Sequence, residues 1–117
     1  METRKATLFI VATPLGNPAD LSPHAAATLA DAAVVLAEDT RRTGMLLKAC
    51  GVTARRLMSS HEHNEEGRVR QVLAWLGEGL DVALVSDAGT PLLADPGYRI
   101  VRAAREATGK ILVIANF

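Results

Sequence analysis

The chain holds a single cysteine, Cys50, among its 117 residues. One thiol excludes a disulfide framework and a thiolate metal cluster. Its setting, MLLKACG at the end of a helical pattern, marks it as a packing residue rather than a nucleophile. Net charge is also missing, since thirteen Lys and Arg balance thirteen Asp and Glu. That excludes a general basic footprint for nucleic acid, so an RNA-binding surface must be local or lie elsewhere. No apolar run approaches the length of a membrane span, and the opening METRKAT is too short and polar for a signal peptide. A cytoplasmic location without a membrane partner is expected.

What is present is alternation. TLFIVAT (7–13) is an apolar run bounded by turn residues, as expected of a strand covered on both faces. SPHAAATLADA follows, with Ser22 as helix cap, Pro23 at the first helical position and alanines favouring helix. AVVLAED (33–39) reads as a second strand, and TRRTGMLLKACG as a short helix with Thr40 or Thr43 near its start and Gly51 as its stop. RRLMSSHEH is a weaker strand. NEEGRVRQVLAWLGEG spaces Val69, Val72, Leu73 and Leu76 along one helical face, with Asn64 as cap. DVALVSD, DPGYRIVRAAREATG and KILVIANF supply a fourth strand, a fourth helix and a fifth strand. The expected fold is a three-layer α/β/α domain around a mainly parallel five-stranded sheet with right-handed crossovers.

In such sheets ligands bind beyond the carboxyl ends of the strands. The loops there read ATPLGNPADLS, AEDTRRT, SSHEHNEE and SDAGTPLLADPG, and they hold most of the functional groups. The opposite loops, LADA, GVTAR and GEGLD, are short and bland. A dinucleotide site would need G-x-G-x-x-G after the first strand and an acid after the second. Glu38 and Asp39 meet the second demand, but TPLGNPADLS has one glycine and two prolines, and no G-K-[ST] occurs. Proline offers no N–H to a phosphate, so a pyrophosphate ligand is disfavoured. An adenosine-containing ligand without phosphates remains open.

VATPLGN, AEDTRRTGMLL, SSHEHNE and VALVSDAGTPLLADPGYRIVRAA resemble, in order and spacing, the signature segments of the tetrapyrrole-methylase-like, class III S-adenosylmethionine-dependent methyltransferases. Within that family the likeness is to the branch that methylates a cytidine 2′-hydroxyl of small-subunit ribosomal RNA. The resemblance implies two α/β domains with S-adenosylmethionine in the cleft between them, and a homodimer. Residues 1–117 would be the amino-terminal domain alone, a second domain being absent. The chain by itself is then expected to be inactive, and its terminal ILVIANF is the segment where a second copy would pair or swap. Two alternatives stand beside this reading: a tetrapyrrole-precursor methylase domain, and a non-catalytic nucleoside-binding or dimerisation module.

The resemblance also implies the site. SDAGTP would face the methionine and ribose of the cofactor through Asp87, Ala88, Gly89, Thr90 and Pro91, with Pro14 and Gly16 of the first loop lining the same cleft. Ala88 and Gly89 leave backbone accessible, and carbonyl oxygens suit a cationic sulfonium. On the acceptor side, Glu38, Arg41 and Arg42 would orient the ribosomal RNA, with arginine on phosphate and a carboxylate near the 2′-hydroxyl. Asp39 is the candidate general base, because a hydroxyl is a poor nucleophile. The competing account is that Asp39 or Thr40 merely caps the next helix. In HEHNEE, His61, His63 and Asn64 are placed toward the substrate, or Asn64 caps a helix. An extended backbone would point His61 and His63 the same way, but no third ligand follows at zinc spacing, so no metal is expected. Trp75 reads as core or interface packing.

Overall fold

The first half of each strand decides which helix it meets. In β2 (Val34–Ala37), Val34 and Leu36 join one core cluster, while Val35 joins the other. The same alternation sends Val82 and Leu84 of β4 (Val82–Asp87) to one side and Ala83 to the other. In β1 (Leu8–Thr13), Leu8 and Val11 take opposite sides. A period of two on buried strands demands an apolar layer over both faces, and helices supply it.

One layer is α1 (Pro23–Asp31) with α2 (Thr40–Ala49), which bring Ala25, Leu29 and Leu47 against Val11, Val35 and Ala83. The other is α3 (Glu65–Gly77) with α4 (Gly97–Thr108), which bring Val72, Leu76, Ile100 and Ala104 against Leu8, Val34, Leu36, Val82 and Leu84. Buried pairs recur four apart (Ala25 and Leu29, Thr43 and Leu47, Val72 and Leu76, Ile100 and Ala104), so each helix rests on one stripe. The three layers are those expected from the sequence. This computed structural model describes residues 6–14, 18–61, 63–87, 97–108 and 110–114.

With β3 (Leu57–Ser59) and β5 (Ile111–Ile114), the sheet has five parallel strands in the order β3-β2-β4-β1-β5. The chain moves outward through β2 to β3 under α1 and α2, then returns to β4 and crosses to β5 under α3 and α4. Crossovers of one hand moving in opposite directions must lie on opposite faces. The second strand is shorter than AVVLAED suggests: Glu38 and Asp39 lie beyond it, exposed. The third strand is likewise only three residues long.

The caps explain where the helices sit. The Ser22 hydroxyl accepts the Ala25 N–H at 3.1 Å, with Pro23 at the first helical turn. α2 ends at Gly51, whose φ of +69° is the left-handed conformation, and the N–H groups of Gly51 and Val52 close on Lys48 and Leu47 carbonyls. Cys50 is half-buried and packs against the α1–α2 core. Trp75 is partly buried against the α3–α4 core, with the Arg56 guanidinium carbon 5.8 Å from its ring centroid.

Candidate functional site

Strand order makes the site. β1 and β4 are neighbours in register, so Thr13 pairs with Asp87 at their carboxyl ends and the Thr13 hydroxyl donates to the Ser86 carbonyl at 3.5 Å. The helices that follow these two strands lie on opposite faces of the sheet. Adjacent strands whose connections part in this way open a crevice, the place where open α/β sheets take their ligands. The half-buried Pro14 marks one rim of that crevice and the backbone of Asp87 the other. Gly16, Ala88, Gly89, Thr90 and Pro91, also assigned to the cofactor from the sequence, lie outside the described residues.

On the other side of β4 comes β2, whose carboxyl end leads into Glu38 and Asp39. Asp39 is the N-cap of α2: its Oδ1 accepts the N–H groups of both Arg41 and Arg42 at 3.1 Å. The capping account of Asp39 is therefore correct for Oδ1, and Oδ2 is the atom left for any chemistry. Glu38, Arg41 and Arg42 are exposed at the same edge. The Thr40 hydroxyl is not the cap, and Thr43 is buried within the helix stripe.

The third segment corrects the sequence reading. His61, His63 and Asn64 are bonded to one another as a turn, not set out as an extended segment. The Asn64 N–H donates to the His61 carbonyl at 3.0 Å, and the His61 N–H donates to Asn64 Oδ1 at 2.8 Å. His63 N–H donates to His61 Nδ1 at 3.3 Å, and the two rings meet edge-on with centroids 5.8 Å apart. Rings in that relation do not present a parallel pair of metal ligands. Among the described residues, no group of three or more His, Cys, Asp or Glu side chains is placed to hold a metal ion. Asn64 does occupy the N-cap position of α3, but its side chain makes no capping bond to that helix. Its amide instead turns back, donating to the Ser59 carbonyl at 3.3 Å and hydroxyl at 3.2 Å. Nδ1 of His61 is occupied by this turn.

Residues that sequence reasoning passed over hold this turn in place. Arg68 Nε donates to the Ser59 carbonyl at 2.7 Å, and Arg68 Nη1 to Gln71 Oε1 at 2.7 Å. Ser60, 1% exposed, joins β2 through its N–H to the Ala37 carbonyl, while its hydroxyl finds no partner among the described residues. Glu65, 3% exposed, lies in the first turn of α3, where the helix dipole favours a carboxylate, and reaches Arg99 of α4 at 3.7 Å. This contact ties the first turns of α3 and α4 together. A polar residue directly after an apolar strand was the available signal for Ser60; nothing local marked Glu65 as buried.

Fold and edge together define a class: an open parallel α/β domain with Glu38, Asp39, Arg41, Arg42 and His61 at the carboxyl edge of its sheet, the edge where such sheets take ligands. Within that class, the chain belongs to the tetrapyrrole (corrin/porphyrin) methylase family, which it matches over residues 7–116. It is 55% identical over 106 residues to a protein of Micromonospora olivasterospora named ribosomal RNA small subunit methyltransferase I, covering 91% of this chain and 34% of that protein. Proteins of the same name from Escherichia coli O157:H7 and Neisseria meningitidis serogroup B are 49% and 45% identical, over 91% and 94% of this chain and 37% and 38% of theirs. The chain thus spans about a third of the length of the curated relatives it matches.

Proposed function

We propose that the chain is the amino-terminal α/β domain of a two-domain S-adenosylmethionine-dependent methyltransferase that modifies a cytidine 2′-hydroxyl of small-subunit ribosomal RNA. The observation that carries this reading is the identity of 45–55% over more than nine-tenths of the chain to three proteins named for that RNA. Matches of 106–110 residues span the acceptor-side segments as well as the cofactor-side ones, and the proteins matched are named for RNA rather than for a tetrapyrrole. The crevice between β1 and β4 supports the cofactor half. At its described rims stand proline, which has no N–H for a phosphate, and an aspartate strand end. That donor set fits a ligand with a cationic centre and no phosphates.

S-adenosylmethionine supplies an electrophilic methyl group on a sulfonium. Pro14, Gly16, Asp87, Ala88, Gly89, Thr90 and Pro91 would hold it. Arg41 and Arg42 sit on RNA phosphate and set the height of the acceptor nucleotide, with Glu38 beside them. Asp39 Oδ2 takes the proton of the 2′-hydroxyl, while Oδ1 keeps the start of α2 in place. His61 Nε2 and the exposed His63 face the RNA, and Asn64 acts by shaping their turn. In the whole protein, two such chains form a homodimer working in the cytoplasm.

Methyl transfer from labelled S-adenosylmethionine to small ribosomal subunits tests this, using the chain alone and the chain continued to the length of its relatives. The longer protein is expected to label a cytidine 2′-hydroxyl, and the 117-residue chain to transfer nothing. Full turnover by the shorter chain overturns the two-domain proposal. Failure of the longer one to label RNA overturns the acceptor. Gly89→Val in the longer protein is expected to abolish cofactor binding by calorimetry; unchanged affinity with an intact fold removes the SDAGTP loop from the site.

A further inference from the structure

The neutral sum of charges conceals a division. Residues 40–61 carry five cations, Arg41, Arg42, Lys48, Arg55 and Arg56, and no Asp or Glu, which leaves the rest of the chain with five more acids than bases. All five cations are exposed. The fold gathers them at one side of the molecule, because α2, the turn after it and the edge strand β3 are consecutive. Arg41, Met45 and Lys48 recur at the spacing of one helical face, and Arg42 and Ala49 flank them, all exposed. Over its length of about 15 Å, α2 carries this face from the carboxyl edge of the sheet to the amino edge. Arg55 and Arg56 stand at that amino edge, immediately before β3.

Resting on the ribosomal RNA reading above, we propose that this face is a track for the phosphate backbone of single-stranded RNA. It runs from Arg41 and Arg42 beside the acceptor site to Lys48 and Arg55 at the far edge. Two features point to a polyanion. Arg41 and Arg42 occupy the first turn of α2, where the dipole disfavours cations and the compensating carboxylate is that of Asp39 at the N-cap. A bound phosphate adds to that compensation. Met45, 70% exposed, lies among the cations and offers an apolar surface to a base or sugar. Lys48 also suits the carboxyl end of its helix, so the test reads RNA affinity and its salt dependence rather than stability. Arg56 is left unaltered because of its contact with Trp75.

The intact chain is titrated with a short single-stranded oligoribonucleotide over a range of salt concentrations. Each phosphate contact on a single strand contributes a slope of roughly 0.7, or about fivefold in affinity at 0.1 M salt. Lys48→Ala with Arg55→Ala is therefore expected to weaken binding about 25-fold and to lower the slope by about 1.4. Arg105→Ala, exposed on α4, is expected to change neither, and circular dichroism to be the same for all variants. An unchanged slope for the Lys48/Arg55 variant, with a shallower one for Arg41→Ala/Arg42→Ala, overturns the track and leaves the acceptor reading standing. Absence of salt-dependent RNA binding by the parent overturns the track, while the acceptor reading is decided by labelling with the longer protein. Polyglutamate competing as well as RNA of equal charge overturns the RNA assignment in favour of an acidic polypeptide.

Discussion

The two ends of the strands are built from different materials. At the amino edge, backbone and glycine close the turns: Gly51 and Gly79 take φ of +69° and +86°, and the Ala33 and Val35 N–H groups donate to the carbonyls of Asp81 and Arg56. A side-chain clamp there is Asp81, whose Oδ1 accepts the buried Thr7 N–H at 2.9 Å. At the carboxyl edge, side chains hold the turns: Asp39 caps α2, and Asn64 and Arg68 shape the turn after β3. Closure by backbone holds no carboxylate or imidazole in place for chemistry. Closure by side chains leaves the second carboxylate oxygen of Asp39 and Nε2 of His61 available. An edge held by side chains can therefore be both rigid and reactive.

Substitutions can break this comparison, beginning with the core that both edges share. Leu36, fully buried in β2, sets the scale: Leu36→Ala is expected to cost about 3 kcal/mol in urea denaturation, from lost transfer energy plus a cavity. A loss below about 1 kcal/mol would mean that the α3–α4 core closes over the gap. Next comes the amino edge. Asp81→Ala leaves the Thr7 N–H without its acceptor and is expected to cost about 2 kcal/mol. RNA and cofactor binding by the folded protein should be untouched, and a binding defect at native stability would give Asp81 a part in binding.

The smallest stability effect separates the two uses of Asp39. Asp39→Ala removes the cap and is expected to cost about 1 kcal/mol, whereas Asp39→Ser keeps an acceptor and should stay within a few tenths. If Oδ2 is the base, methyl transfer by the longer protein falls equally in both variants. Activity that survives in the serine variant would return Asp39 to a capping role alone.

Much of the fold was legible because it depends on near neighbours. Ser22 followed by Pro23 announces a helix start, and Gly51 after Cys50 its stop, since caps act within one turn. The alternation of β1, β2 and β4 was legible for the same reason. The turn at His61–Asn64 was not: HEHN looks extended by its place after a strand, and only the Asn64 amide reaching back to Ser59 shows that the chain folds there. Lys48, Arg55 and Arg56 were passed over because charge was summed along the whole chain. Counting it by segment would have exposed the run.

Sequence by itself determined the layers, the start of α1, the stop of α2 and which strand ends carry polar loops, because hydrophobic period and capping are local properties. Tertiary structure decided the order β3-β2-β4-β1-β5. That order pairs Thr13 with Asp87, distant in sequence, so that the carboxyl ends of β1 and β4 stand side by side. It also makes β3 an edge strand and so collects the cations of residues 40–61 on one side. Neither outcome is written in any short window, because strand order follows from long-range pairing and the direction of each crossover, which depend on every element packing at once.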